Sequence, residues 1–194
     1  MVEVTRASVD RVPELASLIG RAFADDPNAL WSLGPTATPE QVIQWFEASD
    51  LIVAQEGLLW EAGHALGAAL WFPPGTADRY RDYDRESRRV IEVLADDGGE
   101  RGASYWDWIE EHLPSRRHWF LDSIAVRADQ RGKGIGRALI DIGLRGALEQ
   151  GVPAFLETAR PENVPKYEHV GFRVVGDEDA PGGGPHVWFM QFDP

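Results

Sequence analysis

The pattern of hydrophobic and polar positions predicts an alternation of helices and strands along this chain. Apolar residues recur at helical spacing over four segments, 11–24, 38–49, 77–96 and 105–113. Short apolar runs bounded by glycine, proline or aspartate predict strands over 2–6, 58–61 and 65–72. The segment 25–35, which follows the first helix, contains Asp-Asp-Pro-Asn and is predicted to be a loop.

The final third of the chain shows the clearest order of elements. A strand over 118–126 is followed by a glycine-rich loop, a helix over 136–150 and a strand over 154–158. A short helix over 161–170 follows. Two strands, 171–175 and 187–192, then flank a glycine-rich turn at 182–184. Strand, loop, helix and strand in this order form a parallel βαβ unit, which predicts an α/β core. We expect residues 1–194 to form a single domain.

Composition excludes several classes of protein. The chain has 32 acidic and 19 basic residues and a net charge of −13, which argues against nucleic-acid binding. It has no cysteine, so disulfides, thiolate metal sites and cysteine nucleophiles are excluded. No apolar run is long enough for a membrane span, and the N-terminus does not resemble a signal peptide. We therefore expect a soluble, cytoplasmic protein. Its acidic N-terminal half either attracts a cationic substrate or keeps the protein soluble.

The stretch DQRGKGIGRALI, residues 129–140, concentrates positive charge in this acidic chain. Three basic residues alternate there with three glycines, namely Arg131, Gly132, Lys133, Gly134, Gly136 and Arg137. A glycine loop before a helix presents free N–H groups and the positive end of the helix dipole to an anion. Basic side chains add charge-assisted hydrogen bonds. The stretch predicts a diphosphate site; the alternative is a tight turn with solvated basic residues.

Two common phosphate motifs do not fit this loop. The nucleotide P-loop needs Ser or Thr after its lysine, whereas Gly134 follows Lys133. The dinucleotide fingerprint needs a third glycine, where this chain has Arg137 or Leu139. The pattern R/Q-x-x-G-x-G/A fits from Arg131 to Gly136.

Two longer stretches carry a resemblance to a known family. WFLDSIAVRADQRGKGIGRALI (119–140) and GVPAFLETARPENVPKYEHVGF (151–172) resemble the GNAT N-acetyltransferases, especially their puromycin N-acetyltransferase-type members. The resemblance covers residues 118–192 most strongly. It implies a GNAT fold, with a mixed, mostly antiparallel sheet, helices on both faces and a splayed pair of parallel strands. It also implies acetyl-coenzyme A as cosubstrate and no metal, and none of the five histidines has metal-ligand spacing.

The resemblance assigns the coenzyme site to two segments and one side chain. The diphosphate is expected on the backbone of the loop formed by Arg131, Gly132, Lys133, Gly134, Ile135, Gly136 and Arg137. The pantetheine arm is expected to pair, like an added strand, with the backbone of Ile124, Ala125 and Val126. Asn163 is expected to hold the same arm through its amide.

The resemblance also suggests the catalytic residues of an acyl transfer. The acceptor ammonium must lose a proton, and the leaving thiolate must gain one. Tyr167 matches the family tyrosine near the sulfur and is the expected donor; its alternative role is packing of the short helix. Glu157 is the preferred base and Asp122 the second candidate. The alternatives are a salt bridge of Glu157 with Arg160 or a neighbour, and an outward-facing, solvated Asp122.

The acceptor pocket is expected between the loop after the first helix and the last turn. Asp26 and Trp31 are the predicted substrate-binding residues, and Asp25, Trp106 and Trp108 would add acidic and aromatic surface. These residues suit a hydrophobic amine, so the expected function is acetyl transfer to a primary amine of a small molecule. The alternatives are a protein lysine or N-terminal acetyltransferase and a non-catalytic acetyl-coenzyme A sensor. Because dimers are common in the family, a homodimer is one expected state.

Overall fold

A computed structural model describes residues 2–54 and 58–194. Its strands are β1 (Val4–Arg6), β2 (Leu59–Ala62), β3 (Gly67–Phe72), β4 (Trp119–Val126), β5 (Ala154–Thr158), β6 (Arg173–Asp179) and β7 (His186–Phe192). Its α-helices are α1 (Val12–Phe23), α2 (Pro27–Leu33), α3 (Pro39–Ala54), α4 (Ala77–Leu94), α5 (Glu100–His112), α6 (Ile135–Gln150) and α7 (Val164–His169). Among the described helices, none is both long enough and apolar enough to cross a membrane.

The described strands form one mixed sheet in the order β1-β2-β3-β4-β5-β7-β6. Every neighbouring pair is antiparallel except β4 and β5, which run parallel. The parallel pairing includes only Trp119 with Ala154 and Phe120 with Phe155. Beyond these two pairs β4 continues to Val126 and β5 to Thr158, so the strands separate. The sheet confirms the predicted GNAT fold class.

Helices cover both faces of the sheet, and alternate side chains of β3 pack into two different cores. Leu70 and Phe72 belong to one core, together with residues from α1 to α5. Ala69 and Trp71 belong to a second core, together with α6 and α7. Because both of its faces are covered, β3 is buried at every position and has no polar face.

The segment 25–35, predicted to be a loop, contains the helix α2. The Asp26 side chain caps this helix, because its Oδ1 accepts hydrogen bonds from the backbone N–H of Asn28 (3.0 Å) and Ala29 (3.3 Å). Pro27 occupies the first helical position, where its missing N–H costs nothing. The Asp-Pro sequence that ends α1 therefore also begins α2. The loop prediction for this segment was wrong.

Other boundaries also differ from the sequence prediction, and two of them bear on the sheet and the helix beside it. The helix predicted over 105–113 begins earlier, at Glu100, immediately after Gly99 in the left-handed region with a φ of 87°. The strand predicted over 171–175 runs instead from Arg173 to Asp179. Its second half is acidic and exposed, which is typical of an edge strand, where charged side chains hinder pairing with other chains.

Helix α6 packs unusually close to the sheet because two of its positions are glycine. A Cβ at Gly143 would lie 2.4 Å from the Trp71 ring, and one at Gly146 would lie 2.2 Å from the Trp119 ring. The two indoles pack edge to face with centroids 6.1 Å apart. Trp71 also donates its Nε1–H to the backbone oxygen of Leu139 (3.2 Å). These contacts fix the position of α6 relative to β3 and β4.

Gly143→Ala should therefore destabilise the protein. In a helix interior this substitution normally raises stability by about 0.5–1 kcal/mol. Here the added methyl group would overlap the Trp71 ring, and overpacking of a core costs about 1–3 kcal/mol. Urea unfolding measures the difference, and Arg145→Ala, at an exposed position of the same helix, is the control. A rise in the free energy of unfolding for Gly143→Ala would contradict this close packing.

Candidate active site

A cleft of about 950 Å³ opens where β4 and β5 separate. Its walls come from β4, the glycine loop, the first turns of α6, β5 and α7. Its other end is formed by the α1–α2 junction and by residues of α3, α4 and α5. The cleft therefore joins the predicted coenzyme residues to the predicted acceptor end.

The glycine loop ends at the N-terminus of α6 with its backbone unobstructed. Gly134 is the N-cap residue, with a φ of 79°, and no side chain caps the helix. The first N–H to bond back is that of Ala138, to the Gly134 oxygen (3.0 Å), so the preceding N–H groups have no intrahelical acceptor. A Cβ at Gly132 or Gly134 would meet no atom within 4 Å. An anion can thus approach these amides directly.

Ion pairs and hydrogen bonds within the loop stabilise its shape. The Arg127 guanidinium donates two hydrogen bonds to Asp129, at 2.7 and 2.8 Å, and holds the pKa of that carboxyl well below its usual range. Lys133 Nζ donates to Gln130 Oε1 (3.0 Å), and Arg137 Nε donates to Asp141 (2.6 Å). Arg131 and Arg137 also line the cleft.

The edge of β4 that faces the cleft has no strand partner beyond Phe120. On their other side, Ile124, Ala125 and Val126 pair with β3, and all three line the cleft. An extended ligand can therefore add to β4 as a further strand does. Asn163 also lines the cleft; its amide nitrogen donates to Thr158 Oγ1 (3.5 Å), and its amide oxygen accepts from Lys166 Nζ (2.9 Å). The glycine loop and this edge together fit the diphosphate and pantetheine arm of coenzyme A.

Two carboxyl groups lie in the cleft wall, one on each of the separating strands. Asp122 Oδ2 accepts a hydrogen bond from the Tyr83 hydroxyl (3.1 Å), whereas Asp122 Oδ1 and Glu157 Oε2 are buried without any hydrogen-bond partner among the described residues. Burial raises the pKa of Asp122 to about 7. Burial, reinforced by the charge of Asp122, raises the pKa of Glu157 to about 8. Each group can accept a proton near neutral pH.

Among the described residues, Glu157 forms no salt bridge with Arg160, and Asp122 does not face outward. Arg160 Nε donates to Asp26 (3.1 Å) and its NH2 group donates to Asp25 (2.5 Å), rather than to Glu157. Asp122 faces the cleft and Tyr83, and not the outer solvent.

Tyr167 is placed where it can serve both of its predicted roles. Its ring packs edge to face on Phe172, with centroids 6.0 Å apart, and the residue is 9% exposed. It also lines the cleft opposite the open strand edge. Burial raises the pKa of its phenol above the usual value, so the hydroxyl stays protonated and can donate.

The acceptor end of the cleft is acidic and aromatic, but its residues differ in part from those predicted. Asp25, Asp26 and Trp106 line it, and the Trp106 Nε1 is buried without an acceptor among the described residues. Burial raises the pKa of Asp26, against the opposing effects of Arg160 and the backbone N–H groups at the start of α2. The aromatic residues that complete the wall are Phe23, Trp45, Phe46, Tyr83 and Tyr105.

Trp31 and Trp108 lie outside this wall. Trp31 packs against the 182–184 turn, where a Cβ at Gly184 would lie 3.2 Å from its ring. Trp108 packs on Phe189, with ring centroids 5.2 Å apart. Sequence reasoning missed Trp45, Phe46 and Tyr83, which belong to helices far from the glycine loop along the chain. The sequence signal for these residues was the helical spacing of apolar positions in α3 and α4. Such spacing does not distinguish a residue that lines a cleft from one that packs in the core.

Comparison with known families identifies the family of this chain. The model of the acetyltransferase (GNAT) family matches residues 22–172. The chain belongs to this family. The protein is therefore an N-acetyltransferase. Members of the family use acetyl-coenzyme A as cosubstrate. The glycine loop lies within the matched region.

Individual relatives agree with this family. The acetyltransferase is 29% identical over 170 residues to an uncharacterized N-acetyltransferase of Schizosaccharomyces pombe, covering 81% of this chain and 68% of that protein. It is 30% identical over 138 residues to the L-methionine sulfoximine/L-methionine sulfone acetyltransferase of Pseudomonas aeruginosa, covering 64% and 79%. A crystal structure of histone acetyltransferase HPA2 and related acetyltransferase from Corynebacterium glutamicum has the same fold, with a TM-score of 0.71 at 22% identity over 100% and 96% of the chains.

Gly134→Val should weaken acetyl-coenzyme A binding by about 100-fold or more. A β-branched side chain at a φ of 79° would strain the turn and obstruct the amides, and each hydrogen bond lost to a charged group costs about 1.5–3 kcal/mol. Gly151→Val is the matched control, because Gly151 has a φ of 63° and open space, but lies at the far end of α6. Calorimetry showing equal affinity in both folded variants would remove the loop from the coenzyme site.

The pH dependence of kcat/KM should identify the base. A raised pKa means that the carboxyl is protonated at low pH and becomes a base only above its pKa. If Glu157 is the base, kcat/KM rises with pH to a plateau above about 8. Glu157→Gln then lowers kcat/KM by about 10²–10⁴-fold. Asp122→Asn keeps the rise of kcat/KM but moves it to lower pH, because the charge that reinforces the raised pKa of Glu157 is gone. A rise of kcat/KM near pH 7 that remains in Glu157→Gln and is absent from Asp122→Asn would assign the base to Asp122.

Proposed function

We propose that this acetyltransferase moves the acetyl group of acetyl-coenzyme A directly to a primary amine of a small molecule. The observation that carries the proposal is the pair of cleft carboxyls, Asp122 and Glu157, each with a buried oxygen that has no hydrogen-bond partner within residues 2–54 and 58–194. A buried unpaired carboxyl oxygen is costly. A site that binds an ammonium and removes its proton makes use of such oxygens.

The residues of the cleft supply the proton transfers of this reaction. Glu157 takes a proton from the acceptor ammonium, and Asp122, held by Tyr83, adds negative charge beside it. The free amine can then attack the thioester directly, since the chain has no cysteine to form an acyl-enzyme. Tyr167 donates a proton to the leaving thiolate, and the glycine loop and the β4 edge hold the coenzyme in place.

Two observations favour a small acceptor over the alternatives. Aromatic side chains surround the acidic acceptor end, as suits the body of a small hydrophobic amine. A sensor without turnover has no need for a base, yet two carboxyls with raised pKa lie in the cleft.

A turnover screen tests the proposal. Release of free coenzyme A thiol is followed with amine drugs, polyamines and lysine-containing peptides as acceptors. We expect turnover with small amines and little with peptides. Faster turnover with peptides would support the protein acetyltransferase, and binding of acetyl-coenzyme A without any turnover would support the sensor.

Tyr167→Phe should lower kcat by about 10²–10⁴-fold, the usual contribution of a general acid. The ring and its packing on Phe172 remain, so stability and acetyl-coenzyme A affinity should change little. Tyr80→Phe is the control, because Tyr80 packs on Phe72 and Phe120 outside the cleft. Turnover within about threefold of wild type would mean that water supplies the proton and that Tyr167 is structural.

A further inference from the structure

The cation nearest the acceptor end of the cleft, Arg160, is already neutralised by carboxylates. Its Nε bonds to Asp26 (3.1 Å), one terminal nitrogen bonds to Asp25 (2.5 Å), and the other lies 3.5 Å from Glu162. Only 22% of its side chain is exposed. These four residues, the Arg160 cluster, connect the α1–α2 junction to the end of β5.

Asp26 fixes the position of the cluster, because both of its carboxylate oxygens accept hydrogen bonds. One carboxylate oxygen caps α2 and the other accepts from Arg160. Arg160 therefore cannot turn to a ligand carboxylate without leaving Asp26, a buried acid, uncompensated. Breaking such a partly buried pair is expensive.

The other cations that line the cleft belong to the glycine loop and to α7. Arg137 pairs with Asp141, and Lys166 donates to Asn163. Arg131 begins the loop that fits the coenzyme diphosphate. Apart from Arg160 and its partner Glu162, cations and acids are thus segregated. The cations line the loop and α7, whereas the region where an acceptor would bind is lined by Asp25, Asp26, Asp122 and Glu157.

We propose that the acceptor is an amine that carries no carboxylate, and that the Arg160 cluster and the two cleft carboxyls exclude α-amino acids. This inference rests on the proposed function, since it concerns the acceptor of the same reaction. A carboxylate on the acceptor would lie beside Asp25, Asp26 and Glu162, and above about pH 8 also beside the charged forms of Asp122 and Glu157. Among the described residues, the cation at this end of the cleft, Arg160, is already paired with carboxylates. Like-charge contacts of this kind discriminate strongly between ligands of equal shape.

Three acceptors with the same aromatic body test the charge separately from size when kcat/KM is calculated on the free-amine form of each, because the group at the α-carbon also changes the pKa of the amine. Tryptamine has no group at the α-carbon, tryptophanamide has a neutral one, and tryptophan has a carboxylate of nearly the same size. We expect kcat/KM for tryptophanamide to be within about tenfold of that for tryptamine, and kcat/KM for tryptophan to be about 100-fold lower or more. The aromatic wall near Trp106 and Phe46 accommodates the shared indole.

The substitution Asp25→Asn should reduce the preference for tryptophanamide over tryptophan. Asp25→Asn removes one carboxylate from Arg160 and frees part of the guanidinium, and the Asp25 side chain is 83% exposed, so folding should persist. The ratio of kcat/KM for tryptophan to that for tryptophanamide should rise about tenfold. Asp78→Asn removes an exposed acid that pairs with Arg81 on α4, away from the cleft, and should leave the ratio unchanged.

The outcomes separate this inference from the proposed function. Tryptophan turned over as well as tryptophanamide overturns the inference while the proposed function stands. Rejection of tryptophanamide and tryptophan alike also overturns it, because size would then decide. No turnover with any of the three, or with further amines of the screen, overturns the proposed function and this inference with it.

Discussion

The site depends on one feature of the sheet, the separation of its parallel strands after two residue pairs. Both strands remain paired on their outer sides, β4 with β3 as far as Val126, with one register shift between Leu121 and Ser123, and β5 with β7 as far as Thr158. The gap between them therefore opens without loss of the outer ladders. It exposes backbone groups of β4 to a ligand and leaves the side chains of Asp122 and Glu157 in the walls of the cleft.

The same gap explains the electrostatics of the cleft. The two carboxyls are removed from water by the packed helices, so their neutral forms are favoured and their pKa values rise. The N-terminus of α6 provides the opposite polarity at the end of β4. It is held there because Gly143 and Gly146 let α6 lie directly on Trp71 and Trp119. The cleft thus has a positive end at the N-terminus of α6 and an acidic end at the α1–α2 junction.

The sequence predicted the coenzyme half of the cleft better than the acceptor half. The glycine loop, β5 and α6 lie close together in the chain, and each has a local signal in glycine spacing or apolar runs. By contrast, Tyr83 reaches Asp122 across 39 positions, and Arg160 reaches Asp26 across 134. Such contacts follow from tertiary packing, which no local pattern contains. Trp31 was a reasonable choice by composition, yet Trp45 and Phe46 of α3 occupy the wall, because the unpredicted helix α2 turns Trp31 toward the 182–184 turn.

The central claim is that coenzyme A binds between the separated strands with its diphosphate on the α6 N-terminus. Backbone amide chemical shifts of the isotopically labelled protein, followed during titration with coenzyme A, test it most directly. The account predicts the largest changes at the amides of Gly134, Ile135 and Gly136 and along the β4 edge, with little change at Gly151. Shifts confined to other surfaces, or saturation without any change at Gly134 to Gly136, would contradict it.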